Sequence, residues 1–342
     1  MLFESFHAAP KAELHIHLRG AMPAAFFAEL LGKHPMREAL ADASDRHRDI
    51  LGSFPHLQPI LQGSLPPEQA AAALYSFKTF PEFLGSYLLT SYFFRDAADF
   101  RRLILAVRET LVAQNIVYAE ITVSLIEYVQ RGVPLPEMLE AMDETTAAAG
   151  PLRIHWIVDL VRDVGPETAL TLLKECLARK PRSLCGITIG GSEHKVPARE
   201  FKEHYGLAKD HGLGLTAHAG EAMGPESVWD AIRSLHVNRI GHGVRSIEDP
   251  KLVDYLAEKQ IPLEVCPTSN LKTGVFGSYR EHSVRKLYEA GVPISINTDD
   301  PSFFHTTLAD EFEHLAEAGF SEEELAGLLA NGFRHAFRDT GQ

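Results

Sequence analysis

Short runs of apolar and β-branched residues alternate along the chain with longer amphipathic stretches. Eight runs read as strands: ELHIHL at 13–18, VYAEITVS at 117–124, RIHWIVDL at 153–160, CGITIGG at 185–191, LGLTAHAGE at 213–221, NRIGHG at 238–243, PLEVCPTSN at 262–270 and PISINTDDP at 293–301. Segments 98–113, 163–179, 197–211, 225–235, 249–259 and 281–290 carry helical spacing between them. Strand–helix alternation implies parallel strands joined by crossover helices. Eight such units predict an α/β fold, a (β/α)8 TIM barrel. A doubly wound open sheet is the other architecture this pattern permits. The units do not resemble one another, so this is not a repeat protein.

One stretch breaks the rhythm. Residues 33–92 hold too much chain for one βα unit. The first part is polar and punctuated by proline, and the part from about 68 to 92 is apolar and aromatic. An insertion after the first strand of a barrel sits on the C-terminal face, where active sites are built. It is expected to be helical lid material over a pocket. Residues 1–342 then form a single barrel domain.

Composition narrows the class. Hydrophobic residues make up 45%, enough for a substantial core. The formal net charge of −13 argues against nucleic acid or an anionic membrane as partner, since both reward basic patches. Cys176, Cys185 and Cys266 form no C-x-x-C pair, which fits a reducing cytosol rather than a disulfide framework. There is no basic stretch followed by an apolar signal core, and no run approaches the roughly 18 apolar residues of a spanning helix. The expectation is a soluble cytoplasmic protein whose oligomeric state the sequence leaves open.

The chemistry gathers at the C-terminal ends of the predicted strands. His15 and His17 end the first, His218 and Glu221 the fifth, His242 the sixth, and Asp299 and Asp300 the eighth. A closed barrel brings these ends around one mouth. Alternate residues of a strand share a face, so His15 and His17 converge. With a third histidine and an aspartate they make a divalent-metal site suited to zinc, with iron or manganese as alternatives. Such a metal lowers the pKa of its water toward about 7. Taken singly, each feature has an ordinary explanation: most of the 17 histidines should be solvated, and NTDD could be a capped turn. Their coincidence at the strand ends of one barrel is what points to a site.

The motifs KAELHIHLRGAMP, TAHAGE, RIGHG, EVCPTSN and SINTDDPSFF, in this order from residue 11 to about 304, resemble the motif set of the adenosine deaminase family. The closing segment FSEEELAGLLANGFRHAF is similar to that family's last helices, and the resemblance is weakest over 33–75. It implies a zinc-dependent hydrolase that replaces a 6-amino group of a purine nucleoside by an oxo group. His15, His17, His218 and Asp299 match the zinc ligands. Glu221 matches the acid that protonates purine N1, and His242 the histidine that positions the attacking water, with Asp299 beside it. Asp300 matches the partner of N7, and Gly191 the glycine whose N–H reaches N3. The H-x-E and P-C-x-x-C set of the other zinc base deaminases is absent. A two-metal relative would typically carry a lysine on the fourth strand. CGITIGG has none, so one zinc per chain is expected.

Position 19 departs from that pattern. Adenosine deaminases carry an aspartate there, which accepts a hydrogen bond from the ribose 5′-hydroxyl. Arg19 has donors only and suits an anion on the 5′ side. The benzoate of 6-aminodeoxyfutalosine, on the futalosine route to menaquinone, or the phosphate of an AMP-like nucleotide would supply one. The aromatic stretch LYSFKTFPEFLGSYLLTSYFF suits the benzoate better, and no Gly-rich or multi-Arg phosphate cradle is visible. Plain adenosine is the alternative substrate. Arg19 could also pair internally with an acid such as Glu120 or Asp159. A metal-dependent amidohydrolase of amides or esters would not need Asp300 and Glu221. A non-catalytic barrel would have lost a ligand or the proton donor.

Overall fold

The computed structural model describes residues 6–341. Nine strand segments run in chain order: β1 Lys11–His17, β2 Ile116–Val123, β3 Arg153–Asp159, β4 Leu184–Thr188, β5 Gly214–Leu215, β6 His218–Ala219, β7 Ile240–His242, β8 Leu263–Val265 and β9 Ile294–Ile296. All pair in parallel, β1 through β5 in one run and β6 through β9 in another. β5 and β6 are one predicted strand with a short break, across which pairing continues. Thr216 N–H donates to Ile187, His218 N–H to Ile189 and Gly241 N–H to the Ala217 carbonyl. The seam closes where Ile16 bridges Asp299, with His17 N–H on the Asp299 carbonyl and Asp299 N–H on the His15 carbonyl. The result is the predicted parallel barrel of eight strands.

The strands end earlier than their apolar runs. PTSN folds into the helix Pro267–Lys272, and the residues after NTDD into Pro301–Phe304. Proline opens both helices, where its missing N–H costs nothing. The strand–helix junctions are therefore where the functional side chains lie.

The chain between β1 and β2 forms several short helices, including Ala24–Lys33, Asp45–Gly52, Pro67–Leu74 and Phe80–Thr90, followed by the long Ala97–Ala113. Thr79 and Glu82 cap Phe80–Thr90 reciprocally. Phe77 and Phe83 of this region pack on Phe303 and Phe304, with ring centroids 5.0–6.4 Å apart. Tyr75 donates to the Met22 carbonyl at 2.7 Å, and His305 meets the Tyr75 carbonyl at 2.9 Å. The insertion is thus fastened to the loop after β9, at the mouth of the barrel.

The opposite end is filled by the C-terminal tail. Phe337 occupies space that only glycine leaves free: a Cβ on Gly214 would lie 2.3 Å from its ring, and one on Gly186 2.9 Å. The Arg239 guanidinium stacks on that ring at 3.5 Å and donates to the His335 carbonyl at 2.6 Å.

Candidate functional site

His15 and His17 face inward from β1, His218 from β6 and His242 from the end of β7, while Asp299 follows β9. His242 and Asp299 sit at φ +60° and +64°. Non-glycine residues rarely adopt this region, and strain of this kind collects at functional sites. It turns both side chains back over the barrel end. Gly241 leaves room for the imidazole of His15, whose Cε1 would be 2.9 Å from a Cβ there.

Ligand-capable atoms of His15, His218, His242 and Asp299 lie within 4.8 Å of one another. His17 Nε2 joins them, 3.2 Å from Asp299 Oδ1 and 3.2 Å from His218 Nε2. Two imidazole nitrogens and a carboxylate at such separations can share a positive charge, a proton or a metal ion. The supporting bonds aim the lone pairs inward. His15 Nδ1 is 2.8 Å from Glu264 Oε2, and a carboxylate only accepts. His15 therefore carries a proton on Nδ1, which leaves Nε2, buried and without a hydrogen-bond partner, as the nitrogen that would face a cation. Thr188 Oγ1 holds His218 Nδ1 at 3.3 Å, and Ser269 donates to Asp299 Oδ2 at 2.7 Å. This imidazole–carboxylate set, with its outer shell of oriented partners, fits a divalent cation of the zinc type.

Without a metal the cluster draws in protons instead. Burial disfavours charge on His15, but Asp299 and Glu264 outweigh it and raise the ring to about 10, so a bound cation would take the place of the second proton, on Nε2. Burial likewise opposes the Asp299 carboxylate, yet His15 and His17 hold it well below its usual range. Glu264 is held at about 2 despite burial, chiefly by Arg239 and His15. Arg239 donates from Nε to Glu264 and from Nη2 to Glu120, each at 2.6 Å. Burial and the neighbouring His15 drive His218 well below, and His242 to about 3, so both rings are neutral.

Glu221 faces this cluster. Its Oε2 is 3.5 Å from His242 Nε2, and Thr273 donates to its Oε1 at 3.3 Å. Burial and the nearby Asp299 push its carboxyl up to about 8. Asp300 is raised to about 7 by burial and Asp299, and its Oδ1 is buried without a partner. Gly20 is required beside it, since a Cβ there would come within 1.8 Å of that oxygen. Glu221, His242, Asp299, Asp300 and Gly191 all line one cavity of about 400 Å³, together with His17 and His218. Gly191 has φ +85°. The far wall is Phe80, Phe83, Leu84, Tyr87 and Phe304.

Arg19 is placed differently. It lies behind the wall, 4% exposed, with Nη1 2.5 Å from Glu127 Oε2 and its guanidinium 4.0 Å from the Tyr87 ring. The internal pair exists, but its partner is neither Glu120 nor Asp159. Glu120 is taken by Arg239, and Asp159 by Ser124 Oγ and the Val161 and Gly190 N–H groups. Glu127 reaches Arg19 because the helix Leu125–Val129 starts directly after β2, the strand paired with β1. Glu127 lines the cavity; among the described residues no lysine or arginine does. Sequence reasoning also missed Glu264, Ser269, Asn270 and Thr273. All fall in or just after the quoted EVCPTSN segment, whose polar residues were the available signal.

A family model described as adenosine deaminase matches residues 64–342. The aminodeoxyfutalosine deaminase of Streptomyces avermitilis is 34% identical over 338 residues, 96% of this chain and 87% of that one. The adenine deaminase of Rhizobium leguminosarum bv. trifolii is 34% identical over 333 residues, 96% of this chain and 95% of that one. Among solved structures, an adenine deaminase from Arthrobacter aurescens superposes with a TM-score of 0.82 at 28% identity, covering 97% of this chain and 95% of that one. A zinc-bound amidohydrolase from Burkholderia ambifaria gives 0.78 at 26% identity, covering 98% and 88%. A hydrolytic deaminase of the purine type carries these motifs on this barrel, and the chain belongs to the adenosine deaminase family.

Proposed function

We propose that the protein is a zinc-dependent deaminase of a 6-aminopurine nucleoside, and that its substrate is an extended nucleoside of the 6-aminodeoxyfutalosine type. The observation that carries the substrate class is the two-part cavity. A polar end is built from Glu221, His242, Asp299 and Asp300, and an aromatic wall from Phe80, Phe83, Tyr87 and Phe304. A free base would touch only the first part, whereas a benzoyl-bearing nucleoside would cover both. The relative named aminodeoxyfutalosine deaminase supports the same reading.

One zinc ion per chain is assigned to His15, His17, His218 and Asp299, where when bound it would lower the pKa of water toward about 7. The residues around it divide the remaining work. Glu221, with its carboxyl near 8, holds a proton at neutral pH and delivers it to N1 as the ring loses aromaticity at C6. His242 and Asp299 flank the attacking oxygen. Purine N7 only accepts, so Asp300 meets it in the protonated form that its raised pKa favours. The Gly191 N–H serves N3. The aromatic wall keeps bulk water from the site.

A neutral substrate, adenosine or adenine, is favoured by one observation: Glu127 already matches the charge of Arg19. Gripping an anion with Arg19 would require that pair to part. Ammonia release from 6-aminodeoxyfutalosine, adenosine, adenine and AMP separates the readings. The expected kcat/KM is at least tenfold higher for 6-aminodeoxyfutalosine. A tenfold preference for adenosine or adenine overturns the extended substrate, and no turnover of any of the four overturns the reading altogether.

A further inference from the structure

His242 faces the reaction centre with Nε2, 3.5 Å from Glu221 Oε2 and 4.0 Å from Asp299 Oδ2. Its Nδ1 points the other way, into a buried row of polar groups. Asn270 Nδ2 lies 3.3 Å from it, and Asn270 Oδ1 lies 3.1 Å from His282 Nε2. The row ends on the backbone N–H of Val284, which donates to His282 Nδ1 at 3.0 Å. His242, Asn270 and His282 are each no more than 2% exposed, so water does not compete for these bonds.

The direction of every bond in this row follows from its far end. A backbone N–H only donates. His282 Nδ1 must therefore accept, so its ring is neutral with the proton on Nε2. That N–H donates to the Asn270 carbonyl oxygen. The Asn270 amide nitrogen is then turned toward His242, and it too only donates. His242 Nδ1 must accept, so the single proton of His242 is on Nε2. The same nitrogen faces Asp299 Oδ2 at 4.0 Å, but a protonated nitrogen has no lone pair for a metal. His17, with its Nε2 against both Asp299 and His218, is left as the imidazole that completes the ligand set.

We infer that Asn270 and His282 are positioning residues that lock His242 as its Nε2–H tautomer, making it a hydrogen-bond donor to the attacking oxygen rather than a metal ligand or a base. This rests on the reading of His242 as a residue beside the reacting centre. Neither Asn270 nor His282 lines the cavity. Their influence is carried by the proton position on His242 alone, as outer-shell partners fix the tautomers of ligand histidines.

The test uses the full-length, zinc-loaded enzyme and its best 6-aminopurine substrate. Histidine-selective 15N labelling reads the tautomer, with the His242 signals assigned by their loss in His242→Ala. The wild type should show Nδ1 bare and Nε2 protonated. His282→Leu removes the donor to Asn270 and frees the amide to turn. It should lower kcat about 10- to 100-fold, leave KM and bound zinc within about twofold, and mix the His242 tautomers. His282→Gln, whose amide nitrogen can still donate to Asn270, should keep kcat within about threefold and the wild-type tautomer. Asn270→Asp presents an acceptor to Nδ1, and should move the proton there with the largest loss of kcat. Protonated Nδ1 in the wild type overturns the inference, as does an unchanged kcat in His282→Leu beside an inactive His242→Ala. Full activity in His242→Ala would instead remove the role of His242 on which the inference rests.

Discussion

At the scale of single residues, Glu264 links the metal cradle to the barrel interior. One oxygen takes the His15 proton and the other takes Arg239 Nε and the Thr216 hydroxyl. Glu264→Gln can no longer hold His15 in one tautomer, so zinc affinity should fall by about 10- to 100-fold, read by competition with a chromophoric chelator. Arg239 keeps Glu120, which makes loss of folding a separate and smaller effect, visible by circular dichroism. Glu127 is the second informative residue. Glu127→Gln leaves the buried Arg19 charge without its counterion, at a cost of about 1–3 kcal/mol of stability by urea titration. It should also raise kcat/KM for an anionic nucleoside relative to adenosine by about tenfold. An unchanged ratio means that Arg19 takes no part in selecting substrate. The convergence of His15, His17, His218 and Asp299 was legible because strand periodicity and closure are properties of sequence pattern. Glu127 and His282 were not, because their partners come from other elements and no local spacing marks them.

At the scale of elements, the strand–helix junctions carry the design. β8 and β9 stop just before the mouth, and within a few residues proline opens a helix. The apolar runs were legible as strands. Their ends were not, since PTSN and the residues after NTDD read equally well as extended chain until the following helix claims them. The insertion was legible by length and aromatic content, but its division into short helices depends on packing against Phe303 and Phe304. Phe83→Ala should therefore lower kcat/KM for an extended nucleoside at least fivefold more than for adenine, compared in parallel steady-state assays. A different element sets a pH dependence. Glu311, on the helix Leu308–Glu317, accepts from the Thr268 N–H and the Thr306 hydroxyl. Burial raises its carboxyl to about 7 against those bonds. A raised folded-state pKa means that the native protein holds a proton the unfolded chain has released. The contribution is complete below about 4.5 and lost as pH climbs through 7. Between pH 5 and pH 8 the Tm of the wild type should fall relative to that of Glu311→Gln, measured by scanning calorimetry.

At the scale of the molecule, the two ends of the barrel have different tasks. The mouth gathers the site, and the base is closed by the tail through Phe337 and Arg239. Phe337→Ala should cost about 1–3 kcal/mol in urea unfolding, because the ring is half-buried and Gly186 and Gly214 offer nothing to refill the space. The closing helices were legible by resemblance. Their tail as a plug was not, since two glycines on separate strands declare a cavity only when the barrel brings them together. On the proposed function the metal would need the closed barrel, so stripping it with dipicolinate should abolish deamination, and readdition of zinc should restore it. Thermal stability should drop in the stripped protein by the linkage any native-state ligand confers. No helix among the described residues is long and apolar enough to cross a membrane.

The seam between Ile16 and Asp299 joins the first strand to the last. During synthesis, His15 and His17 leave the ribosome early and wait through most of translation for the carboxylate that completes their cradle. Until then the outer edge of β1 is unpaired, an open template for another extended chain. Chains halted before residue 299 should therefore bind zinc weakly and self-associate. In a pulse-labelled translation, the arrival of tightly held metal would mark the moment the barrel shuts.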